Sequence, residues 1–517
     1  MSAPVEAGFG DVQRIVLRGG ARAGCGWQAA AHLLIDFGER SPLHFISQLL
    51  SGCANPDLPP LTAEATAGVT VQVSLGLTRR GLECAHVPDH LLMLMALKAP
   101  AFHAGAARRA AHHLALSGRN AAELWDWGQS SSRVAAGTQE ATAFRLDAFD
   151  AVVSLHGPSA RSLDAPLAAV RSLAAASAMT TAELPHGQTI EPPTDLESTP
   201  GTARPGTGQW VHFGYLDGLS KTGIKGVTSA PTLAKLKPLS RHEPGEFVLG
   251  HVQDSGGNPW VAGPGLRVWP EDARAFFHNG SFGVLQLIEQ DVQAFEDFVG
   301  AAADAGGLSR SQVKGLLCGR SPEGLPLAAP AAGGADFDYE DDRAGLKCPF
   351  GSHIRRMNPR LPVDAEGRVL LDHTPGIEQP AHFSRRRPLL RRGMPYGRAW
   401  TGQSEPAAES RGLIGHFFCA SIEDQFEHLL GEWADRVAMG SPDRGGARDP
   451  FIGAHEPGDG PFDLPQPSGQ PGRQLRGLAP FTRTRGCAYL FYPSLRTLEG
   501  IAASHPWAPD PYADDDA

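Results

Sequence analysis

His353 stands in the stretch Cys348-Pro349-Phe350-Gly351-Ser352-His353-Ile354-Arg355-Arg356-Met357-Asn358-Pro359-Arg360, one imidazole among cations and chain breakers. The flanking Pro349 and Pro359 exclude the middle of a long helix as its setting. Most of the 20 histidines do no chemistry on general grounds, and it is the company of this one that sets it apart. Arg355, Arg356 and Arg360 carry permanent charge in a planar fork that matches carboxylates and phosphates. A nitrogen ligand beside carboxylate-binding guanidiniums is the pairing an iron porphyrin requires.

Two further stretches hold groups able to move or stabilise charge. Phe213-Gly214-Tyr215-Leu216-Asp217-Gly218 places a carboxylate between glycines. Asp-Gly is ordinarily a turn, but an acid held against a pocket where two domains meet can transfer a proton. Ser384 to Arg392 contains Arg385, Arg386, Arg387, Arg391 and Arg392, which reads by default as a solvated basic surface or anion patch. Leu389-Leu390 before Arg391 and Gly393-Met394-Pro395-Tyr396-Gly397 after it predict that at least one guanidinium points inward. Gly24-Cys25-Gly26-Trp27-Gln28-Ala29 has glycines suited to a nucleotide loop, yet lacks the acid about 20 positions on that ribose recognition needs, and reads as a turn.

The elements that must position these groups are legible in outline. Gln13 to Arg18 suggests a short strand and Trp27 to Phe37 an apolar helical stretch, with a helix start at Ser41-Pro42. Val69 to Leu77 alternates apolar and polar residues, the clearest strand of the first half. Phe149 to His156 reads as another strand, followed by a helix from Asp164 and Pro166 through Leu167 to Ala182. Pro185 to Gly208 is a Pro/Gly/Thr-rich linker or long surface loop. Beyond it, Glu246 to His251 and Ser281 to Ile288 read as strands, the latter running into a helix from Asp291 to about Ala303. Leu413 to Cys419 feeds a helix from Ser421 to Val437 that turns one apolar face to a sheet, and Pro480 to Pro493 holds the last strand. The order predicts an α+β fold with antiparallel pairing, made of one unit duplicated, with loops at 361–380 and 440–473 inserted in the second.

Composition bounds the rest. A chain of 517 residues exceeds the usual single domain, and 41% apolar with 20% charged residues describes a soluble globule. The net charge of -10 argues against general nucleic-acid affinity. Seven dispersed cysteines without a CxxC pair point to reduced thiols and a cytoplasmic location, neither a disulfide framework nor a thiolate zinc site. No secretory signal and no apolar run of roughly 18 residues is present, so no membrane span is expected. The oligomeric state is open to a homo-oligomer.

The motifs GxxDG at 214–218, CPFGSHIRRMNPR at 348–360 and RRGMPYG at 391–397, in this order, resemble those of the dye-decolorizing peroxidases, which are haem enzymes. Weaker likenesses run from the Ala101-Phe102 to Trp125 region through GEFVLGH at 245–251, NGSFGVLQLIEQDVQAF at 279–295 and SIEDQFEHLLGEW at 421–433 to GCAYLFYPS at 486–494. The resemblance implies two ferredoxin-like domains of dimeric α/β-barrel type, residues 1–205 and 206–517, with one haem b in the second. It makes His353 the proximal iron ligand, Asp217 the distal acid–base and Arg391 the distal arginine, with Arg392 as the adjacent alternative. The second ring nitrogen of His353 needs an acceptor, and the resemblance points to an acid near the SIEDQFE helix. Glu423 is favoured; Glu427 shares its face, while Asp424 reads as part of an N-terminal cap. Arg355, Arg356 or Arg360 is expected to meet haem propionates or to pair with local acids. The implied activity is reduction of hydrogen peroxide with oxidation of dye-like, phenolic or other small organic donors. An acidic optimum follows, because a carboxylate stays an available base where an imidazole is protonated. The alternatives are a haem carrier, sensor or iron-release protein on the same fold, or an anion-binding protein using the 385–392 patch.

Overall fold

A computed structural model describes residues 7–18, 27–52, 57–62, 70–114, 116, 118–127, 149–190, 210–219, 222–261, 269–330, 337–360, 387–401, 410–435, 448–455, 460–464, 466–467 and 472–504. The first half supplies β1 (Ala29–Asp36), β2 (Gln72–Leu77), β3 (Ala151–Gly157), β4 (Thr180–Glu183) and β5 (Gly187–Gln188). Two short pairs follow: an antiparallel ribbon of β6 (Trp210–Val211) and β7 (Tyr215–Leu216), and parallel β8 (Gly223–Ile224) and β9 (Arg241–His242). The second half supplies β10 (Ser281–Gln290), β11 (Leu390–Arg391), β12 (Met394–Tyr396) and β13 (Gly412–Cys419). A separate hairpin of β14 (Phe462–Leu464) and β15 (Arg473–Leu475) precedes the last strand, β16 (Thr482–Tyr492).

The main sheet runs β10-β16-β2-β3-β1-β5-β12-β13, and β13 pairs back onto β10, so it closes into an antiparallel barrel. Within each half the ladders are long, as in β1 with β3 and β10 with β16. Between the halves they are thin: β2 meets β16 at Leu77↔Phe491, and β5 meets β12 at Gly187↔Tyr396. Alternation along each strand separates two cores. Leu33, Val73, Val153, Val284 and Phe491 face outward under the helices, while Leu34, Val152, Leu285, Phe418 and Tyr492 fill the barrel. This is the duplicated ferredoxin-like α+β architecture that the element order predicts.

Three expectations are corrected. Trp27 to Phe37 is not a helix: Ala29–Asp36 pairs with β3 from Ala29↔Gly157 to Ile35↔Ala151 and with β4 on its other edge. Its residues are buried on both faces, so no polar alternation marks the strand period, and long-range pairing overrides the helix preference of Ala and Leu. Gln13 to Arg18 is not a strand: Arg14–Arg18 is a short helix. There the Gln13 amide does the work of a strand edge, accepting from Leu75 N at 2.9 Å and donating to Leu75 O at 2.9 Å. Glu246 to His251 is a turn and irregular chain, because Pro244 opens a single tight turn and Gly250 sits at φ +85°.

The remaining elements fall close to expectation. The helix Ala160–Ala176 begins earlier than Asp164, at a Ser159/Ser162 capping box, and ends before β4. Val292–Gly306 starts on Asp291, which caps Ala294 N at 3.0 Å. Ile422–Ala434 is a π-helix. The loop expected at 361–380, Val437 and most of Pro185 to Gly208 lie outside the described residues, although β5 occupies part of that linker.

Candidate active site

Local folding aims His353 before any ligand is considered. Ser352, fully buried, donates from Oγ to Leu316 O at 2.6 Å, and its carbonyl accepts from Arg355 N and Arg356 N to open the short helix His353–Met357. Arg355 clamps the preceding loop. Its Nη1 donates to Asp342 Oδ2 at 3.0 Å and Cys348 O at 2.7 Å, and its guanidinium packs on Tyr339 and Phe350. Asp342 in turn accepts from Lys347 N and Cys348 N. Arg356, also buried, donates to Trp433 O at 2.8 Å and Ala434 O at 3.2 Å, holding the end of the π-helix under the site. Arg355 thus pairs with a local acid, and Arg356 binds main-chain carbonyls with Asp449 and Asp435 close enough to act on its charge.

The partner of His353 is Asp449. Nδ1 lies 2.9 Å from Asp449 Oδ2 and 3.1 Å from Oδ1, and the carboxylate is fully buried. Burial alone would raise its pKa, but His353, Arg356 and the Ile452 N–H together outweigh burial and hold it below the usual carboxylate range. An ionised acceptor there fixes the proton on Nδ1 and leaves the Nε2 lone pair available. The His353 side chain is 28% exposed, and Nε2 makes no hydrogen bond among the described residues.

Glu423 therefore does not partner His353. Its carboxylate accepts from Ala101 N and, at 3.4 Å, from Ser421 Oγ, which ties the π-helix to the first-half segment Pro100–Ala104. Burial, ahead of the Glu427 charge, raises its pKa against those hydrogen bonds. Glu427 pairs with Arg109 and accepts from Tyr489 OH at 3.0 Å, and Asp424 completes the cap on Ser421. Arg392 is likewise committed elsewhere: it donates to Ile15 O at 2.9 Å and Val16 O at 2.8 Å, capping the helix Arg14–Arg18.

Asp217 follows the β6–β7 ribbon, whose tight geometry depends on Gly214 and Gly218 at φ +81° and +69°. The turn reading is met, and the carboxylate is exposed and makes no hydrogen bond among the described residues. Contacts tie this ribbon to His353. Phe451 lies 5.3 Å from the His353 ring, 5.7 Å from Phe213 and 5.5 Å from Tyr215. Leu216 N donates to Pro322 O at 2.8 Å, placing Asp217 on the turn that follows Arg320.

Arg391, exposed on β11, makes no side-chain hydrogen bond among the described residues. It is close enough to Arg320 to act on it electrostatically. Burial first, then the charges of Arg360 and Arg391, lower the Arg320 pKa to about 10. Arg320 and Arg360 both lie over the Phe337 ring, at 5.2 Å and 4.0 Å. Three guanidiniums thus crowd one region at the end of the His353 segment, an arrangement suited to anionic groups.

Asp449, Arg320 and Phe451 were not singled out from sequence. Asp449-Pro450 is a turn signal inside the Gly/Pro-rich 440–473 region, and its Oδ1 does accept from Phe451 N and Ile452 N at 3.0 Å each. Nothing in that local pattern reports a histidine 96 positions away.

No protein-family model matches the chain. It is 30% identical over 263 residues to the multifunctional dye peroxidase DyP2 of Amycolatopsis sp. (strain ATCC 39116 / 75iv2), covering 47% of this chain and 50% of that protein. To the dye-decolorizing peroxidase msp1 of Mycetinis scorodonius it is 26% identical over 348 residues, 60% of each chain. The chain thus spans about half to three-fifths of the length of these curated relatives. In three dimensions the likeness is nearly complete: DyP2 from Amycolatopsis sp. ATCC 39116 superposes with a TM-score of 0.68 over 97% of both chains at 22% identity. The chain therefore has the fold of the dye-decolorizing peroxidases and resembles them in sequence over part of its length. A fungal DyP-type peroxidase from Auricularia auricula-judae shares the fold with a TM-score of 0.66, 19% identity, and coverage of 97% of this chain and 100% of its own. This chain thus shares the full fold of these solved structures, while its sequence likeness to the curated relatives covers only part of its length.

Proposed function

We propose that the protein is a haem b peroxidase that reduces hydrogen peroxide and oxidises dye-like, phenolic or other small organic donors. The observation that carries this reading is the His353–Asp449 pair at 2.9 Å, which occupies Nδ1 and leaves Nε2 as the candidate ligand atom. The residues fit the group: His353 would hold the iron, and Arg320, Arg360 and Arg391 supply positive charge for its propionates and for anionic species at the site. When bound, the haem supplies the redox chemistry.

The chain's own residues do the rest. Asp449 orients His353 and raises its basicity. Asp217 takes a proton from one peroxide oxygen and returns it to the other, a task suited to its exposed carboxylate, which has no partner among the described residues. Arg391 offsets negative charge that develops as the O–O bond breaks. We assign residues 1–205 and 206–517 to the two ferredoxin-like units, a division supported by the strands each contributes. Among the described residues no helix is long and apolar enough to cross a membrane, and Cys84, Cys318, Cys348, Cys419 and Cys487 are free thiols, which supports the cytoplasmic reading.

The test is the absorption spectrum of the purified protein, supplied with haem, before and after peroxide. A Soret band that changes on adding peroxide and returns with a phenolic donor is expected. Failure to take up haem, or a bound haem inert to peroxide, would overturn the reading.

A further inference from the structure

Inside the barrel, away from His353, three imidazoles share one layer. His32 on β1 and His156 on β3 come from the first half, and His416 on β13 comes from the second. All are buried, with ring centroids 5.6 Å apart for His32–His156, 5.6 Å for His32–His416 and 6.2 Å for His156–His416. Tyr492 enters the same layer between Gly76 and Gly283, where a Cβ would lie 2.7 Å and 2.4 Å from its ring. Among the described residues no three His, Cys, Asp or Glu side chains are arranged to hold a metal ion, so the trio is not a ligand set.

The layer is polar but incompletely satisfied. His32 Nδ1 bonds Ser154 Oγ at 2.8 Å, and His416 Nε2 bonds Tyr492 OH at 2.7 Å. Both nitrogens of His156, Nδ1 of His416, and both amide atoms of Gln72, the register partner of His156 on β2, are buried without a hydrogen-bond partner among the described residues. The charged and titratable neighbours acting on the trio are His186 beyond β4, Arg392 beside β11, and the imidazoles themselves. Tyr492, Ser154, Ser74 and Trp27, which complete the surroundings, are neutral. A proton arriving here meets only like charge, with no carboxylate among the described residues to offset it.

We propose that this histidine layer is an acid-operated joint, in which proton uptake by His32, His156 and His416 parts the two halves of the barrel along its β2–β16 and β5–β12 seams. The seams are the weak lines of the closed sheet, one residue pair each, whereas the ladders inside each half are long. The direction follows from linkage. Burial, aided by neighbouring positive groups, lowers the His32 pKa to about 3 and those of His156 and His416 well below the ordinary imidazole value. The parted state, with values near about 6.5, binds protons that the closed barrel refuses. The stability of the closed barrel is therefore whole above about pH 6.5 and is lost as pH falls toward the folded-state values. The joint is independent of the peroxidase reading, and its test needs no haem.

The test is urea unfolding of the full chain from about pH 7.5 to about pH 4, with hydrogen exchange of the strand amides at both ends of that range. His156→Leu removes one titrating group while keeping an apolar neighbour for Trp27. It is expected to move the acid midpoint down by about half a pH unit or more and to lower the proton uptake by about one. His156→Gln is the second variant, should the leucine form fail to fold. In the wild type, amides at Leu77, Phe491, Gly187 and Tyr396 are expected to lose protection in acid before those within β10–β16 and β1–β3. Unchanged midpoint and uptake in the variants would overturn the proposal, as would simultaneous loss of protection at seams and inner ladders in the wild type.

Discussion

His353, partly exposed, and His156, buried, both lie beside aromatic rings, Phe451 in one case and Trp27 in the other, yet the chain equips them oppositely. His353 has an ionised carboxylate on one nitrogen and a side chain 28% exposed, whereas His156 is buried and neither of its nitrogens has a partner among the described residues. The first arrangement pins a tautomer and presents a lone pair, which is what ligation requires. The second holds an imidazole neutral by exclusion and makes it a liability in acid. A histidine's role is thus decided by the charge that faces it and by access to its second nitrogen, more than by its depth in the protein.

Mutations that exchange these roles sharpen the contrast. His353→Ala is expected to have the largest effect, loss of axial ligation and of a normal Soret band, measured by haem titration. Retention of that band, with its loss in His156→Leu, would reverse the assignment. Asp217→Asn should lower the rate of the peroxide step by roughly a hundred- to ten-thousand-fold with haem binding unchanged, measured by stopped-flow absorption. An unaltered rate would remove Asp217 from the reaction. Asp449→Asn should cost about 10- to 100-fold in haem affinity or peroxide reactivity, less than removing His353 itself. Glu423→Gln serves as its control: with its carboxylate bonded to Ala101 N, it should leave the haem spectrum in place. His156→Leu should leave the spectrum at neutral pH as it is and change only the acid midpoint, the smallest of the expected changes.

Much of the fold was readable because short-range chemistry marks it. Val292–Gly306 announces itself by the Asp291 cap and an apolar stripe, and β2, β10, β13 and β16 by alternation or flanking turns. The strand β1 was misread because both its faces are buried, one in the barrel and one under helices, so its composition carries no period. The site divides in the same way. His353, Asp217 and Arg391 lie in motifs whose neighbours fix their local conformation, such as Gly214 and Gly218 around the Asp217 ribbon. Asp449 and Arg320 lie in ordinary-looking segments and join the site only through contacts made across the fold.

By itself, then, the chain determined the α+β class and pointed to the candidate imidazole, acid and arginine, since each depends on residue type and immediate neighbours. Tertiary structure alone decided that Asp449 rather than Glu423 holds His353, and that Arg355, Arg356 and Arg392 brace the scaffold. It also decided that His32, His156 and His416 meet inside a barrel closed between two halves. The physical reason is common to all three outcomes. Hydrogen bonds and charge act over a few ångströms in space, and the partners concerned are brought within that range only when distant segments pack.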